Sequence, residues 1–366
     1  MGTTMSSEDG YAQPAGGPPL ELIKTRPVVV VGSMAADLVL SVDRLPRPGE
    51  TIAATNCERF PGGKGANQAA TAARLGAPTF FIGQFGSDAN AELMRTALLE
   101  AGVDVSLSRT VEGDTGHGTI MLQPSDENSI IIVPGANRAP WVITDEIKQC
   151  IKEAGILLLQ REIPEEVNVE VASLAHRAGV PVVLDIGGEE GPIGDELLRY
   201  ITVISPNETE LQRITGLPTE SDAELEAAAQ SLLVRGVEAV LVKLGAAGSM
   251  LLRPAGLAPV HQSAVPVQTV RLCHAVETSA ITALRHPASG YASRLMECFC
   301  GCLQVLDTTG AGDCYTASWA VASLANRSSD ESMRFASAAA AICVQRKGAM
   351  TSLPSLEEVE YLLKRE

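Results

Sequence analysis

The stretch PVVVVGS (Pro27 to Ser33) is a short β-branched run closed by glycine and serine. The same pattern returns at TFFIG (Thr79 to Gly83), GILLLQ (Gly155 to Gln160), PVVLDI (Pro181 to Ile186), ITVISP (Ile201 to Pro206) and AVLVKLG (Ala239 to Gly245). Unbroken apolar runs of this length suit strands buried on both faces. Between them, Asp88 to Ala101, Val142 to Ala154, Pro164 to Ala178 and Ser221 to Arg235 carry apolar residues at helical spacing, several closing on glycine. Strand and helix in alternation predict an α/β fold with a mostly parallel central sheet.

Two intervals break the alternation: Leu38 to Thr55, and Gly116 to Val133, where HGTIMLQ and NSIIIV flank a polar turn at Ser125 to Glu127. Both read as antiparallel structure outside the main sheet, a small β-flap built from about residues 34–60 and 110–135. There is no internal repeat and no strong linker, which predicts one domain over residues 27–366. The first 26 residues are rich in Gly, Pro and Ser, lack the apolar core of a secretory signal, and read as a disordered tail.

The 366 residues include 44 acidic and 28 basic side chains, a formal net charge of −16. Neutralising nucleic-acid phosphates takes a surplus of lysine and arginine that is absent here, so a nucleic-acid partner is disfavoured. An anionic membrane surface is disfavoured likewise, and no uncharged apolar run approaches the roughly 18 residues needed to span a bilayer. Cys57, Cys150, Cys314 and Cys343 are scattered and read as reduced core thiols. The other four, Cys273, Cys298, Cys300 and Cys302, crowd one short stretch.

The sharpest chemical signal is DTTGAGD, Asp307 to Asp313, set before the helix-compatible run CYTASWAVASLA. Gly310 and Gly312 permit a tight turn in which successive N–H groups at a helix start converge on an anion such as phosphate. Asp313 would then present a carboxylate beside that anion, where it takes a proton from an attacking hydroxyl. The alternative is a plain glycine turn with Asp313 as the N-cap. A second signal is GGKGANQAA, Gly62 to Ala70. It is not a Walker loop, because no glycine stands five residues before Gly63-Lys64 and no Ser or Thr follows the lysine. Its glycines allow close approach to a small polar ligand, and Lys64 and Asn67 supply donors that suit hydroxyls. Dinucleotide, serine-hydrolase and zinc-protease motifs are missing.

Together these motifs resemble the ribokinase family of carbohydrate kinases, particularly its plant-type members, over Val28 to Pro354. The resemblance implies a three-layer α/β/α fold with a β-sheet lid. GSMAAD (Gly32 to Asp37) resembles the first sugar-binding segment, PGET (Pro48 to Thr51) the start of the flap, and GGKGAN the second sugar-binding segment. LLQRE supplies Glu162. On this resemblance Asp37, Gly62, Gly63, Lys64, Asn67 and Glu162 fix the sugar. PNETE carries Asn207 and Glu210, which touch magnesium through water. KLGAAG (Lys243 to Gly248) resembles the nucleotide-binding turn, with Lys243, Gly245 and Gly248 joined by Gly312 at the ATP. DTTGAGD resembles the anion hole, with N–H groups from Gly310, Ala311 and Gly312 and with Asp313 as base. CVQRKGAMTSLP resembles a loop that, with Asp307 and Thr309, holds a potassium ion through Cys343, Arg346, Gly348 and Ser352, mainly by backbone oxygens.

The implied reaction is transfer of the γ-phosphoryl group of ATP to the 5-hydroxyl of D-ribose. A fructokinase-like or nucleoside kinase is the alternative within the family, and GGKGANQAA with QRE favours ribose. The flap is expected to form a homodimer surface. The acidic tail points to the cytoplasm, whereas plant-type members are expected in plastids.

Three features depart from the family pattern. GGEEGP (Gly187 to Pro192) replaces the NPAPA run of bacterial members. The interval from about Val270 to Gln304 is foreign to its surroundings, with four of the eight cysteines and two of the five histidines in 35 residues. One reading is a metal site on Cys298, Cys300 and Cys302 with His274 or His286. The preferred reading is a translated, unspliced intron, since the Val270 codon begins GT and the Gln304 codon can be CAG, as at the common GT and AG borders. A transcript joining the Thr269 codon to the Val305 codon supports it, and genomic sequence without those borders refutes it. If the interval distorts the anion hole, the chain would be a catalytically impaired sugar- or nucleotide-binding protein. The third departure is Ala35, which stands where the family pattern GSxNAD has a sugar-bonding asparagine. A lost buried hydrogen bond costs on the order of 1 to 3 kcal/mol. Ala35→Asn should therefore lower the KM for ribose roughly tenfold to a hundredfold; an unchanged or higher KM in steady-state kinetics contradicts this.

Overall fold

The four valines of β1 (Val28–Val31) are all fully buried, and their alternation divides the interior. Val28 and Val30 pack into one apolar cluster, Val29 and Val31 into another. Both faces of the strand are therefore covered, the condition under which a parallel sheet is stable. The computed structural model describes residues 26–123, 128–254, 257–266 and 305–365. The tail 1–25, the turn at Ser125 to Glu127 and the interval from Val270 to Gln304, with its cysteine and histidine cluster, lie outside the described residues.

From β1 the chain passes through β2 (Ala35–Ser41), β3 (Asn56–Gly62), α1 (Lys64–Arg74), β4 (Thr79–Ile82), β5 (Gln84–Phe85), α2 (Ala89–Glu100), β6 (Arg109–Thr110), β7 (His117–Leu122) and β8 (Asn128–Val133). Then come α3 (Asp145–Glu153), β9 (Ile156–Arg161), α4 (Glu165–Arg177), β10 (Val182–Gly188), α5 (Asp195–Leu198), β11 (Val203–Ser205), α6 (Glu208–Thr215) and α7 (Asp222–Val234). The strands β12 (Ala239–Lys243), β13 (Ser249–Leu252) and β14 (Val260–Gln262) precede three further helices: α8 (Ala311–Leu324), α9 (Ser329–Cys343) and α10 (Leu356–Leu363).

The main sheet runs β14-β13-β12-β11-β10-β9-β1-β4. From β12 to β4 every pairing is parallel, and β13 and β14 add an antiparallel edge. Residues of α1, α2, α8, α9 and α10 join Val28 and Val30 on one face, and those of α3, α4, α6 and α7 join Val29 and Val31 on the other. This is the expected α/β/α sandwich. Three of the four expected helices start one residue after a capping side chain: Asp88, Thr144 and Ser221 each accept a backbone N–H from the first turn.

The flap is a separate four-stranded sheet, β3-β2-β7-β8. Its two hairpins are antiparallel as expected, but β2 and β7 join them in parallel. The first hairpin also extends further than the sequence indicated: β3 occupies Asn56–Gly62, because the proline-rich turn around PRPGE breaks the chain before it. Cys57 lies exposed on this strand rather than in the core, whereas Cys314 and Cys343 are buried and Cys150 partly so, all as free thiols. Among the described residues no helix is long and apolar enough to cross a membrane.

Candidate active site

The carboxyl ends of the parallel strands, the N-termini of α1 and α8 and the underside of the flap converge on one group of acids. Asp37, on β2, stands opposite Gly118 of β7. A Cβ at Gly118 would come within 2.7 Å of Asp37 Oδ1, and one at Gly62 would collide with Oδ2. Glycine on both sides lets the carboxyl group lie against backbone. Burial, and secondarily the charge of Glu162, pushes the Asp37 carboxyl up to about 7 against an opposing hydrogen bond from the Gly118 backbone.

Glu162 follows β9, and its Oε2 accepts from Ser33 Oγ at 2.5 Å and from the Lys64 N–H at 3.1 Å. Helix α1 has Gly63 as its N-cap, with φ 88° and no side-chain cap. Glu162 therefore caps that helix from another strand, placing negative charge where the helix dipole favours it. The start of β2 is fixed by Asn137, whose side chain accepts from the Met34 N–H at 3.1 Å and donates to the Met34 carbonyl at 2.8 Å.

Asp313 is the third residue of α8, whose N-cap is Gly310 with φ 77° and no side-chain hydrogen bond. The N-cap alternative for Asp313 is thereby excluded. Its Oδ2 instead accepts from Asn67 Nδ2 at 2.9 Å, and its Oδ1 lies 3.6 Å from Lys64 Nζ. Asp313 Oδ1 and Asn67 Oδ1 are both buried without a hydrogen-bond partner. Two such acceptors side by side form a receptor for donors that the protein does not supply. Burial holds the Asp313 carboxyl high, at about 6; Lys64 and Asn67 pull it down, and Asp185 and Glu162 push it up. Asp313, first among several acids, in turn keeps Lys64 protonated well above the usual lysine range.

At the turn, the Ala311 N–H donates to the Thr308 carbonyl at 3.2 Å, so it serves the turn rather than facing outward. The Gly312 and Asp313 N–H groups have no acceptor within α8 by position, which leaves the helix start ready for an anion.

Beside this turn opens a cavity of about 880 Å³, lined by Lys64, Asn207, Glu210, Lys243, Gly245, Gly248, Gly310, Gly312 and Asp313 among others. Val265, Ala340 and Val344 give it apolar walls. Asn207 and Glu210 form a capping box for α6, each side chain accepting the other's backbone N–H at 2.8 Å. Lys243 is held by Asp185, a fully buried acid in the middle of β10 that motif reading missed. Its signal was present: an acid inside the apolar run VVLDI. The adjoining Gly187 explains the GG form, because a Cβ there would collide with the Lys64 side chain.

Of the six residues expected around potassium, Asp307, Thr309 and Gly348 are joined by hydrogen bonds, and Cys343 and Ser352 form a second pair. Asp307 Oδ1 accepts from the Thr309 N–H at 2.9 Å, and Oδ2 from the Gly348 N–H at 2.8 Å. Burial pushes this carboxyl up, but those bonds outweigh it and hold it below the ordinary range. Cys343 Sγ lies 2.9 Å from Ser352 Oγ, while the Arg346 guanidinium is committed to Glu358 at 2.5 Å. Arg346 would thus contribute only its backbone. Ahead of the turn, the Leu306 N–H donates to the Val344 carbonyl at 2.8 Å and anchors the approach to Asp307.

Among the described residues no group of three His, Cys, Asp or Glu side chains is arranged to hold a metal directly. Asn207 and Glu210, engaged with each other yet retaining acceptor lone pairs, fit a magnesium ion that arrives on a nucleotide and keeps its water.

The model of the pfkB family of carbohydrate kinases matches residues 25–271 and 296–356, and the chain belongs to that family. Residues 272–295, inside the foreign interval, are left unmatched. The chain is 44% identical over 343 residues to the ribokinase of Arabidopsis thaliana, covering 92% of this chain and 81% of that protein. It is 35% identical to the ribokinase of Haemophilus influenzae, covering 92% and 98%. The structure of Arabidopsis thaliana ribokinase complexed with ribose and ATP superposes with a TM-score of 0.81 at 43% identity, covering 93% of this chain and 99% of that one.

The two raised carboxyls set the pH dependence. On the expected roles, Asp37 accepting sugar hydroxyls and Asp313 accepting a proton, both carboxyls work ionised, so kcat/KM should fall as pH drops through about 7. In Asp37→Asn the limb should move down toward the Asp313 value of about 6. A limb in the ordinary carboxylate range for both proteins contradicts this electrostatic assignment.

Proposed function

We propose that this protein is an ATP-dependent kinase that transfers a phosphoryl group to the 5-hydroxyl of D-ribose, giving D-ribose 5-phosphate and ADP. The observation that carries the proposal is the buried Asn67–Asp313 pair, whose two Oδ1 atoms have no partner and whose Asp313 lines the 880 Å³ cavity. A sugar there is held by Asp37, Glu162 and Asn67 through hydroxyls, which donate to carboxylate and amide oxygens and give Asn67 Oδ1 the donor it lacks. The sugar's reacting hydroxyl then lies against Asp313, which takes its proton as the oxygen attacks the γ-phosphorus. Lys64 remains cationic and offsets the charge of the converging acids. The N–H groups at the start of α8 receive the transferring phosphoryl oxygens. Magnesium, when bound with ATP, neutralises charge across the phosphates, with Asn207 and Glu210 holding its water. The identity to ribokinases that span nearly the whole chain favours ribose over other sugars.

The same reading gives the Asp307 loop a potassium ion, held by Asp307, Thr309, Cys343, Arg346, Gly348 and Ser352, which keeps the anion turn in shape. A coupled ADP-release assay with ribose, fructose and adenosine tests both claims. Ribose should give the highest kcat/KM, and replacing potassium by tetramethylammonium should lower kcat. Preference for fructose or adenosine overturns the substrate assignment, and indifference to the cation overturns the potassium site.

The flap supports a homodimer. Its edge strand β8 exposes Ile130, Ile131, Ile132 and Val133 at 53%, 59%, 66% and 40%, and an unprotected apolar edge calls for a covering partner. Sedimentation should give a dimer mass for the wild type and a monomer mass for Ile131→Lys. A wild-type monomer, or a dimer that survives the substitution, refutes this interface.

A further inference from the structure

The acid that motif reading missed stands at the meeting of four elements. Asp185, 1% exposed in the middle of β10, accepts at Oδ2 from Lys243 Nζ at 2.6 Å and from Thr316 Oγ1 at 2.9 Å. Its Oδ1 accepts from the Gly187 N–H at 3.0 Å. Thr316, on α8, is in turn 3.1 Å from Ser205 Oγ of β11. Lys243 ends β12, where its N–H donates to the Pro206 carbonyl at 2.8 Å and its backbone pairs with Ser249. Backbone and ammonium are thus both fixed. A Cβ placed on Gly312 would lie 3.7 Å from Lys243 Nζ, so the ammonium stands beneath the second residue of α8 and on the floor of the cavity.

A buried ion pair adds little net stability over an apolar pair of the same shape, so stability alone gives no reason for this one. Position gives a reason. A fixed cation beside the helix start that receives phosphoryl oxygens stabilises charge where it develops, and it needs no rearrangement at the moment of transfer. Lysine has a flexible four-carbon stem, and without an anchor its ammonium is free to swing toward Asp313 or Glu210 across the cavity.

We propose that Asp185 is a positioning residue for phosphoryl transfer: it holds the Lys243 ammonium beside Gly312, where that ammonium meets the transferring phosphoryl group. The inference rests on the kinase reading and names the group that orients its second cation. The groups facing Asp313 are Lys64 and Asn67 from α1, Glu162 beyond β9 and Asp185 from β10, with the Lys243 ammonium nearby. Of these, Asp185 and Glu162 push its carboxyl up. Removing the Asp185 charge therefore shifts the acid limb of kcat to lower pH.

The test compares wild type, Asp185→Asn, Lys243→Met, the double variant and Thr316→Val with ATP and ribose. Asp185→Asn should lower kcat on the order of a hundredfold, leave the KM for ribose unchanged and move the acid limb downward. Because Asp185 acts through the lysine, the double variant should match Lys243→Met in kcat rather than multiply the two losses. It also buries no unpaired charge, which guards against misfolding. Thr316→Val keeps both charges and should lose part of the same kcat. Wild-type kcat in Asp185→Asn or in Thr316→Val, or multiplied losses in the double variant, overturns the proposal. Wild type that turns over no substrate refutes the kinase reading instead, so the two failures are distinguishable.

Discussion

The arrangement depends on one constraint: four carboxylates are brought into one region, those of Asp185 and Asp313 fully buried and those of Asp37 and Glu162 partly so, and each needs a partner. Lys64 meets the need for Asp313 and Lys243 for Asp185. The N-terminus of α1, with Ser33, meets it for Glu162. Asp37 has only the Gly118 backbone to lower it, and burial leaves its carboxyl raised to about 7. Where pairing is complete the acid serves as a scaffold, and where it is incomplete the acid is available to a ligand. Asp313 lies between these cases, with one oxygen bonded to Asn67 and the other unbonded.

That constraint explains the unusual smallness of the surrounding helices. Ala66, Ala69 and Ala70 on α1 and Ala317 and Ala320 on α8 are fully buried in one apolar cluster, and their short side chains let the two helix N-termini approach. A larger residue at these positions would separate Lys64 and Asn67 from Asp313, although Asn67 and Asp313 are 246 positions apart in the sequence. Gly187 serves the same purpose at the end of β10 by clearing the path of the Lys64 side chain.

The strands of the central sheet and their flanking helices were legible because each carries its own local signal: valine runs, helical spacing, and capping residues such as Asp88 and Ser221. The parallel join between β2 and β7 was not, since hairpin signals describe neighbours in sequence and this pair is brought together by the fold. Asp313, Lys64 and Asn67 were legible from glycine-rich motifs. Asp185 was hidden because its partners, Lys243 and Thr316, come from distant segments and its own segment reads as a plain apolar strand. The capping role of Glu162 was hidden for the same reason, although its acidity marked it as a site residue. The described residues on either side of the foreign interval retain the contacts that shape the anion turn, namely Leu306 to Val344 and Asp307 to Gly348.

The central claim is that the carboxylate of Asp313 takes the proton from the sugar hydroxyl. Asp313→Asn keeps the size and much of the hydrogen bonding of the side chain but removes its basicity. Its turnover of ribose, measured beside its ATP affinity by calorimetry, tests that claim most directly. The account predicts a kcat lower by about a thousandfold with ATP affinity retained. A variant that binds ATP as the wild type does and still turns over ribose at a comparable rate would contradict it.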